Sequence, residues 1–140
     1  MGYQYQPFDY VPPPGLAGTE ARHKVAIIGA GPIGLSMAIE LANHGVASVV
    51  LDDNNVVSVG SRAICFAKRC LEVADRYGCG EPMLKKGVVW NVGKVFHKDD
   101  KVFEFDLLPE TGHKYPAFIN LQQPYFEKYM VDRLRALQAE

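Results

Sequence analysis

The chain has 140 residues, 48% of them hydrophobic and 22% charged, with a formal net charge of −1. This composition predicts a globular protein with one modest core and excludes a disordered chain. The near-zero net charge gives no reason to expect a nucleic acid or an anionic membrane as partner. No apolar run approaches the roughly 20 residues that span a bilayer, and residues 1–21 lack the basic start and apolar centre of a signal peptide. A cytoplasmic location without a membrane span is therefore expected.

Residues 1–22 are predicted to form an extended N-terminal arm. The run Pro12-Pro13-Pro14-Gly15 cannot form a helix and favours the polyproline II conformation. The aromatic side chains of the arm either pack back on the domain or bind a partner subunit; they are Tyr3, Tyr5, Phe8 and Tyr10. The domain itself is expected to occupy residues 23–140.

A glycine-rich turn follows the first predicted strand, which runs from Lys24 to Ile28. Gly29 allows the tight turn, Gly31 lets the backbone approach a pyrophosphate, and Gly34 lets the next helix pack close to the sheet. This spacing predicts a nucleotide-binding βαβ unit. The alternative is a tight strand–helix turn whose glycines are coincidental.

The first predicted helix, Pro32 to Asn43, begins inside this turn. Pro32 suits the first helical position, which needs no N–H donor. The free N–H groups at the start of this helix and its positive dipole end then face the phosphates. Apolar residues at helical spacing predict the face that covers the sheet; they are Leu35, Ala38, Ile39 and Ala42.

The second predicted strand, Ser48 to Leu51, is followed by Asp52. The carboxylate of Asp52 would accept hydrogen bonds from the hydroxyls of an adenosine ribose. A 2′-phosphate would be repelled by it, which excludes NADP here but leaves both FAD and NAD open. Both strands are continuous apolar runs, as expected for parallel strands that are buried on two faces.

Beyond the second strand, the pattern predicts a loop over Asn54 to Gly60 and a helix over Ser61 to Tyr77, which Gly78 ends. The apolar stripe of that helix consists of Ile64, Ala67, Leu71 and Ala74. The change of period over Gly87 to Leu108 predicts a β-hairpin with a charged turn.

A further short strand is predicted over Phe118 to Leu121, and Pro124 opens a last helix. The apolar face of this helix consists of Phe126, Met130, Leu134 and Leu137. A mononucleotide-binding half needs a βαβαβ arrangement, and no parallel strand follows the last helix. The expected fold class is therefore α/β, a Rossmann-like βαβ fold with a β-hairpin insertion, incomplete at the C-terminus.

The cysteines and histidines of the chain do not predict a metal site. Cys65, Cys70 and Cys79 are odd in number and lack a Cys-x-x-Cys pair, and the four histidines show no metal-ligand spacing. Three reduced, mostly buried thiols are expected instead.

The sequence resembles the FAD-dependent aromatic-ring hydroxylases, the single-component flavoprotein monooxygenases of the p-hydroxybenzoate and phenol hydroxylase type. The resemblance covers about Lys24 to Leu137. It rests on Val-Ala-Ile-Ile-Gly-Ala-Gly-Pro-Ile-Gly-Leu, on the acid at Asp52, on Gly60-Ser61-Arg62-Ala63 and on Gln123-Pro124. The first block is shared with many flavoproteins, whereas the last two in this order are more particular to the hydroxylases.

The resemblance implies FAD as the cofactor and residues 23–140 as the N-terminal portion of an FAD-binding domain. The cofactor-binding residues that it implies are Gly29, Gly31, Pro32, Ile33, Gly34, Asp52, Arg62 and Gln123. Arg62 would lie near the pyrophosphate and the flavin, because a guanidinium pairs with phosphate through fixed donors. Gln123 would reach the ribityl–phosphate region, where an amide can donate and accept. Taken alone, Arg62 is a solvated arginine at a helix start, and Asp53 departs from the family, which often has arginine there.

The implied activity is that of an oxidoreductase in which NAD(P)H reduces FAD and O2 is used to hydroxylate a small phenol-like substrate. The alternatives are a non-catalytic nucleotide-binding fragment and an NAD-dependent dehydrogenase. No residue is predicted to be a general base, so the catalytic residues stay unassigned. The 140 residues alone are expected to fold poorly and to be inactive as a hydroxylase, and a homo-oligomer is left open.

Overall fold

The computed structural model describes residues 2–13, 15–16, 18, 22–60 and 62–139, except for the side chain of residue 139. The chain divides into two compact units, one formed by Met1–Ser61 with Gln123–Glu140 and the other by Arg62–Gln122. In chain order the elements are β1 (Ala26–Ile28), α1 (Pro32–Asn43), β2 (Val49–Leu51), β3 (Cys65–Ala67), α2 (Lys68–Arg76), α3 (Gly80–Lys86), β4 (Val88–Trp90), β5 (Val92–His97), β6 (Asp100–Asp106), β7 (Phe118–Asn120) and α4 (Gln123–Ala139).

The first unit contains the predicted βαβ arrangement. Strands β1 and β2 pair in parallel, with Ile27 opposite Val50, and α1 connects them with the bounds that the sequence predicts. Helix α1 packs against both strands and against α4. A parallel pair needs a crossover connection, and the amphipathic helix supplies it while covering the sheet.

The two parallel strands are less buried than predicted. Ile28 is 80% exposed, Ala26 is exposed, and all three residues of β2 are half-buried. Parallel strands are buried on both sides only where the sheet is broad and covered on two faces. Among the described residues this sheet has two strands, so Ile28 at its end faces solvent and the prediction of full burial is wrong.

Two helical faces form most of the core of the first unit. Leu35, Ala38 and Ile39 of α1 are buried, whereas Ala42 in its last turn is exposed, contrary to the prediction. On the predicted face of α4, the first two residues, Phe126 and Met130, are buried, and the last two, Leu134 and Leu137, are half-buried. The helical periodicity therefore locates the buried face best in the middle of each helix.

The described part of the arm packs on the first unit. The Tyr3 ring meets the Tyr125 ring edge to face, with 4.9 Å between centroids. The Arg135 guanidinium lies 5.0 Å from the centroid of Phe8, a geometry in which a cation is attracted to the ring face. Tyr10, in contrast, is 78% exposed. Of the two alternatives for the arm, packing back on the domain is the one observed for these first aromatic residues.

The second unit is built on a three-stranded antiparallel sheet with β7 in the centre and β3 and β4 at its edges. Phe66 of β3 and Val89 of β4 both lie opposite Ile119, which is fully buried. Helix α2 follows β3 directly and contributes buried Leu71 and Ala74. The predicted strand over Phe118 to Leu121 thus forms the centre of a sheet.

The predicted helix over Ser61 to Tyr77 is wrong in its first part. Cys65–Ala67 form β3, and the helix begins at Lys68. Pairing with β7 supplies the backbone hydrogen bonds of these residues and outweighs their helical spacing. Ile64 is accordingly outside the helix and 52% exposed, and the predicted start at Ser61 lies outside the described residues.

The region between α2 and β7 contains two elements that the sequence did not predict, α3 and β4, and a hairpin that it did. Helix α3 is seven residues long, too short to show a helical period, and its buried anchor is Met83. The predicted hairpin is confirmed for β5 and β6, with a turn at Lys98 and Asp99, but the start of its predicted range forms β4, which pairs with β7 instead. Lys98 has a φ of 53°, a left-handed conformation that tight hairpin turns require.

Two of the three thiols are exposed, which contradicts the prediction that most are buried. Cys79 is 1% exposed, but Cys65 begins an edge strand and Cys70 lies on the outer face of α2. All three are free. Within the described ranges, no three His, Cys, Asp or Glu side chains are grouped so that they could hold a metal ion. No described helix has the length and apolar character to cross a membrane.

Candidate cofactor site

A cleft of about 440 Å³ opens at the carboxyl ends of β1 and β2. Its lining residues are Ile28, Gly29, Leu51, Asp52 and Asp53. Parallel strands end at the same edge of a sheet, and ligands of open α/β sheets bind in the crevice outside that edge. The structure therefore brings the predicted glycine turn and the predicted carboxylate to one cleft of the first unit.

The three glycines of the turn meet different structural requirements. Gly29 has a φ of +100°, which L-residues with a side chain rarely adopt, and its N–H donates to Leu51 O over 2.7 Å. At Gly34 a Cβ would overlap the carbonyl oxygen of Gly29, so the helix can approach the turn only with glycine there. At Gly31 a Cβ would meet nothing within 4 Å. Gly31 thus borders open space, where a phosphate fits without a Cβ in its way.

The N-terminus of α1 offers backbone donors to this space. Gly31 is the N-cap residue, no side chain caps the helix, and no acidic residue lies in the first turn. The first intrahelical bond runs from Leu35 N–H to Gly31 O, so the N–H groups of Ile33 and Gly34 precede the helical ladder. Pro32 occupies the first turn without needing a donor. Together with the helix dipole, this arrangement suits an anion.

The carboxylate of Asp52 is bonded to both sides of the cleft. Its Oδ2 accepts a hydrogen bond from Ala30 N–H at 2.6 Å, and its Oδ1 accepts from the N–H and the Nδ2 of Asn54 at 2.8 and 3.0 Å. Partial burial opposes ionisation, but these hydrogen bonds outweigh it and lower the pKa of Asp52 below its ordinary value. A carboxylate has about four acceptor positions, so one remains for a ligand hydroxyl.

Asn54, which was not predicted from the sequence, holds the carboxylates of this cleft. Its Nδ2 also donates to Asp53 Oδ1 at 2.9 Å, so one amide holds two adjacent carboxylates. Asp53 is exposed, and its position beside Asp52 places a second negative charge on the rim. The run Asp-Asp-Asn directly after a strand is the signal that could have predicted the turn, because Asx side chains bond their own backbone.

Gln123 is the first residue of α4 and is 8% exposed. Its Nε2 donates to Glu127 Oε1 at 2.7 Å and to Ser58 Oγ at 3.2 Å. Glu127, which is 1% exposed, also accepts from the N–H and the Oγ of Ser58, both at 2.7 Å. A network of three side chains thus joins the loop after β2 to the start of α4.

Ser58 and Glu127 were not predicted from the sequence. Glu127 directly follows Phe126, the first residue of the stripe that the helical period predicts to be buried. It also lies four residues after Gln123. A charged residue on a buried helical face needs hydrogen-bond partners, and that conflict was the available signal. Ser58 offered none, because its partner is 69 residues away in the chain.

Arg62 belongs to the second unit and is exposed. The other predicted cofactor-binding residues all lie in the first unit. The contact of Arg62 with a cofactor therefore stays a prediction.

The sequence model of a family described as FAD binding domain matches residues 22–140. A probable NADH-specific resorcinol 4-hydroxylase of Rhodococcus jostii is 32% identical, over 91% of this chain and 24% of its own length. A flavin-dependent monooxygenase of Mycobacteroides abscessus is 30% identical, over 79% of this chain and 25% of its own length. The chain thus spans about a quarter of the length of these curated relatives.

Solved structures give the same result for the fold. The p-nitrophenol 4-monooxygenase PnpA of Pseudomonas putida DLL-E4 matches with a TM-score of 0.72 and 28% identity, over 82% of this chain and 30% of that chain. A 2-methyl-3-hydroxypyridine-5-carboxylic acid oxygenase matches with a TM-score of 0.66 and 20% identity, over 81% of this chain and 29% of that chain. These likenesses confirm the predicted Rossmann-like α/β fold class.

Proposed function

Since the chain belongs to the FAD binding domain family, we propose that it supplies the FAD-binding part of an aromatic-ring monooxygenase. That enzyme uses NAD(P)H and O2 to hydroxylate a small phenol-like substrate. The proposal is supported by the similarity to a probable resorcinol 4-hydroxylase and to a p-nitrophenol 4-monooxygenase. FAD is the cofactor of the family, which sets aside the NAD-dependent dehydrogenase that the glycine turn alone leaves open.

The observation that carries the proposal is the cleft at which Asp52 meets Gly29 of the glycine turn, two residues before the N-cap of α1. The open space at Gly31 suits the pyrophosphate, with the N–H groups of Ile33 and Gly34 as donors. The remaining acceptor position of Asp52 suits a ribose hydroxyl. The charged rim of Asp52 and Asp53 disfavours a further phosphate on that ribose.

Two further residues complete the proposed cofactor site. Gln123 contacts the ribityl–phosphate region from the start of α4, and Arg62 pairs with the pyrophosphate near the flavin. The chemistry of both side chains supports these roles, because a guanidinium pairs with phosphate as a fork of donors and an amide donates and accepts. Both positions follow from the residue-by-residue resemblance to the hydroxylases.

The bound FAD supplies the redox chemistry, and the residues of this chain bind and orient it. The backbone at Gly31 and the dipole of α1 hold the negative charge of the pyrophosphate. Asp52 binds the adenosine ribose and Gln123 binds the ribityl–phosphate region. The two residues together therefore fix the direction in which FAD lies on the domain. The chain is assigned no general base, and its catalytic residues stay unassigned.

The remaining expectations on partners and location are proposals from the sequence. They are a cytoplasmic location and the absence of a nucleic-acid partner, while homo-oligomerisation is left open. Near-zero net charge supports the second of these, because nucleic-acid binding relies on clustered basic charge.

The test uses the full-length protein that carries this sequence. Purified protein is expected to be yellow, to release one FAD per chain on denaturation, and to oxidise NAD(P)H faster when a phenol-like compound is added. A protein that is colourless after reconstitution with FAD and instead binds NAD at the glycine turn would contradict the proposal.

A further inference from the structure

Glu127 is a buried carboxylate whose partners are all neutral. It is 1% exposed, and none of the ion pairs in the described part of the chain involves it. Its hydrogen bonds come from the Ser58 N–H, the Ser58 hydroxyl and the Gln123 amide. Burying a charge in this way is costly unless every lone pair is well used. The three bonds, each 2.7 Å long, compensate that cost.

The carboxylate determines which end of the Gln123 amide faces it. A carboxylate only accepts hydrogen bonds, so the NH2 end must point to Glu127 and the amide oxygen must lie on the other side. The spacing of four residues on α4 makes this pair a local contact of one helix face. Glu127 thus selects one of the two amide orientations of Gln123.

The same carboxylate also restrains the loop after β2. Its two bonds to Ser58 hold that residue by both backbone and side chain, six positions after Asp52. The loop that begins at the cleft is therefore tied to the helix that begins with Gln123. Two bonds to one residue restrain it in direction as well as in distance.

From these contacts we propose that Glu127 is a positioning residue for FAD. It holds the Gln123 amide with its oxygen turned away from the carboxylate, toward the proposed cofactor contact, and it keeps the Ser58 loop at the start of α4. The inference rests on the proposed function, in which Gln123 contacts FAD. Glu127 itself does not touch the cofactor and acts through Gln123.

The variant Glu127→Gln tests this orientation with little change in shape. A glutamine at this position can accept from the Ser58 N–H and donate to the Ser58 hydroxyl and to position 123. Its NH2 group then faces the NH2 group of Gln123, so Gln123 must turn its oxygen inward. The number of hydrogen bonds is kept while the amide of Gln123 is reversed, and a purely structural role would tolerate this exchange.

The experiment titrates FAD into the full-length apoprotein and records affinity, the visible flavin spectrum and the melting temperature without FAD. For Glu127→Gln we expect a melting temperature within about 2 °C of wild type, an FAD affinity at least about tenfold weaker and an altered spectrum. Glu81→Gln, at an exposed residue of α3, is the matched control and leaves all three unchanged. An unchanged affinity and spectrum for Glu127→Gln overturn the inference.

A charge-swapped pair keeps the inference testable if Glu127→Gln unfolds. Combining Gln123→Glu with Glu127→Gln restores donor–acceptor pairing, again with an oxygen turned away from position 127, at constant net charge. A folded double variant that binds FAD more tightly than Gln123→Ala supports the inference, and one that binds FAD no more tightly than Gln123→Ala overturns it. A wild-type protein that binds no FAD would reject the proposed function instead, and an unaffected Gln123→Ala would reject the role of Gln123 and the inference together.

Discussion

Ala30 N–H donates to Asp52 Oδ2 over 2.6 Å, so the carboxylate that follows β2 is bonded directly to the glycine turn that follows β1. The two residues are 22 positions apart, and the bond joins the carboxyl ends of both parallel strands. Asp52 therefore shapes the turn, and in the proposed function it also offers an acceptor to the ribose. The first task can be measured without cofactor and the second only with it.

Replacing Asp52 by alanine is expected to weaken FAD binding by about 1.5–3 kcal/mol, because charged hydrogen bonds contribute that much. This corresponds to a roughly 10- to 150-fold higher dissociation constant. Asp53→Ala is the matched control with a much smaller effect, since the hydrogen bond of Asp53 runs to the Asn54 side chain alone. FAD titration of the full-length apoprotein measures both. Equal losses would mean that the wrong carboxylate has been assigned to the ribose.

The lowered pKa of Asp52 makes its contribution to stability depend on pH. Because the folded state holds this pKa below the ordinary value of 3.8, folding favours the ionised form. The contribution is fully present above the ordinary pKa and is lost as the pH falls through the lowered one. The urea midpoints of wild type and Asp52→Ala should thus differ by a constant amount between about pH 5 and 7 and converge below about pH 4. A gap that widens on acidification contradicts this assignment.

The elements that the sequence predicted well are those with a local cause. The turn from Gly29 to Gly34 follows from the backbone requirements of its own glycines, and the hairpin follows from the change of period over its own residues. Cys65–Ala67 were misassigned because their strand state depends on pairing with β7, more than 50 residues later. Short α3 was missed because seven residues show too little of a period.

The residues of the candidate site also fall into those with a local cause and those that depend on distant contacts. Asp52 was predicted from its place after an apolar strand. The donors that hold it, Ala30 and Asn54, are identified only from the three-dimensional structure of the turns. Ser58 was not predicted, because a contact across 69 residues leaves no pattern in a single sequence. For Glu127 the sequence shows a charged residue beside a buried helical face, but not the partners that hold it. A motif identifies residues that touch the ligand, whereas their supports follow from packing.

Two glycine variants separate the fold of the turn from its binding role. Gly34→Ala is expected to lower the free energy of unfolding of the apoprotein by about 1–3 kcal/mol, because its Cβ overlaps the Gly29 carbonyl. Gly31→Ser is expected to change it by roughly 0.5 kcal/mol or less, since serine is a good N-cap and open space surrounds this position.

Gly31→Ser is expected to weaken FAD binding rather than the stability of the apoprotein. Its side chain enters the space proposed for the pyrophosphate, so FAD affinity should fall although the apoprotein is stable. Urea unfolding of the apoprotein and FAD titration, measured on the same preparations, check both expectations. If Gly31→Ser binds FAD as wild type does, the pyrophosphate does not pass over Gly31.

The N-terminal arm is expected to protect the end of the loop after β2. Gly60 N–H donates to the Tyr5 hydroxyl over 2.9 Å, so Tyr5→Phe removes the acceptor and leaves the ring. Loss of about 1 kcal/mol from this bond should speed hydrogen exchange of the Gly60 amide by roughly fivefold. Tyr10→Phe is the matched control, because Tyr10 is 78% exposed, and it should leave Gly60 exchange unchanged. Unaltered exchange at Gly60 in Tyr5→Phe would show that the arm does not hold this loop in solution.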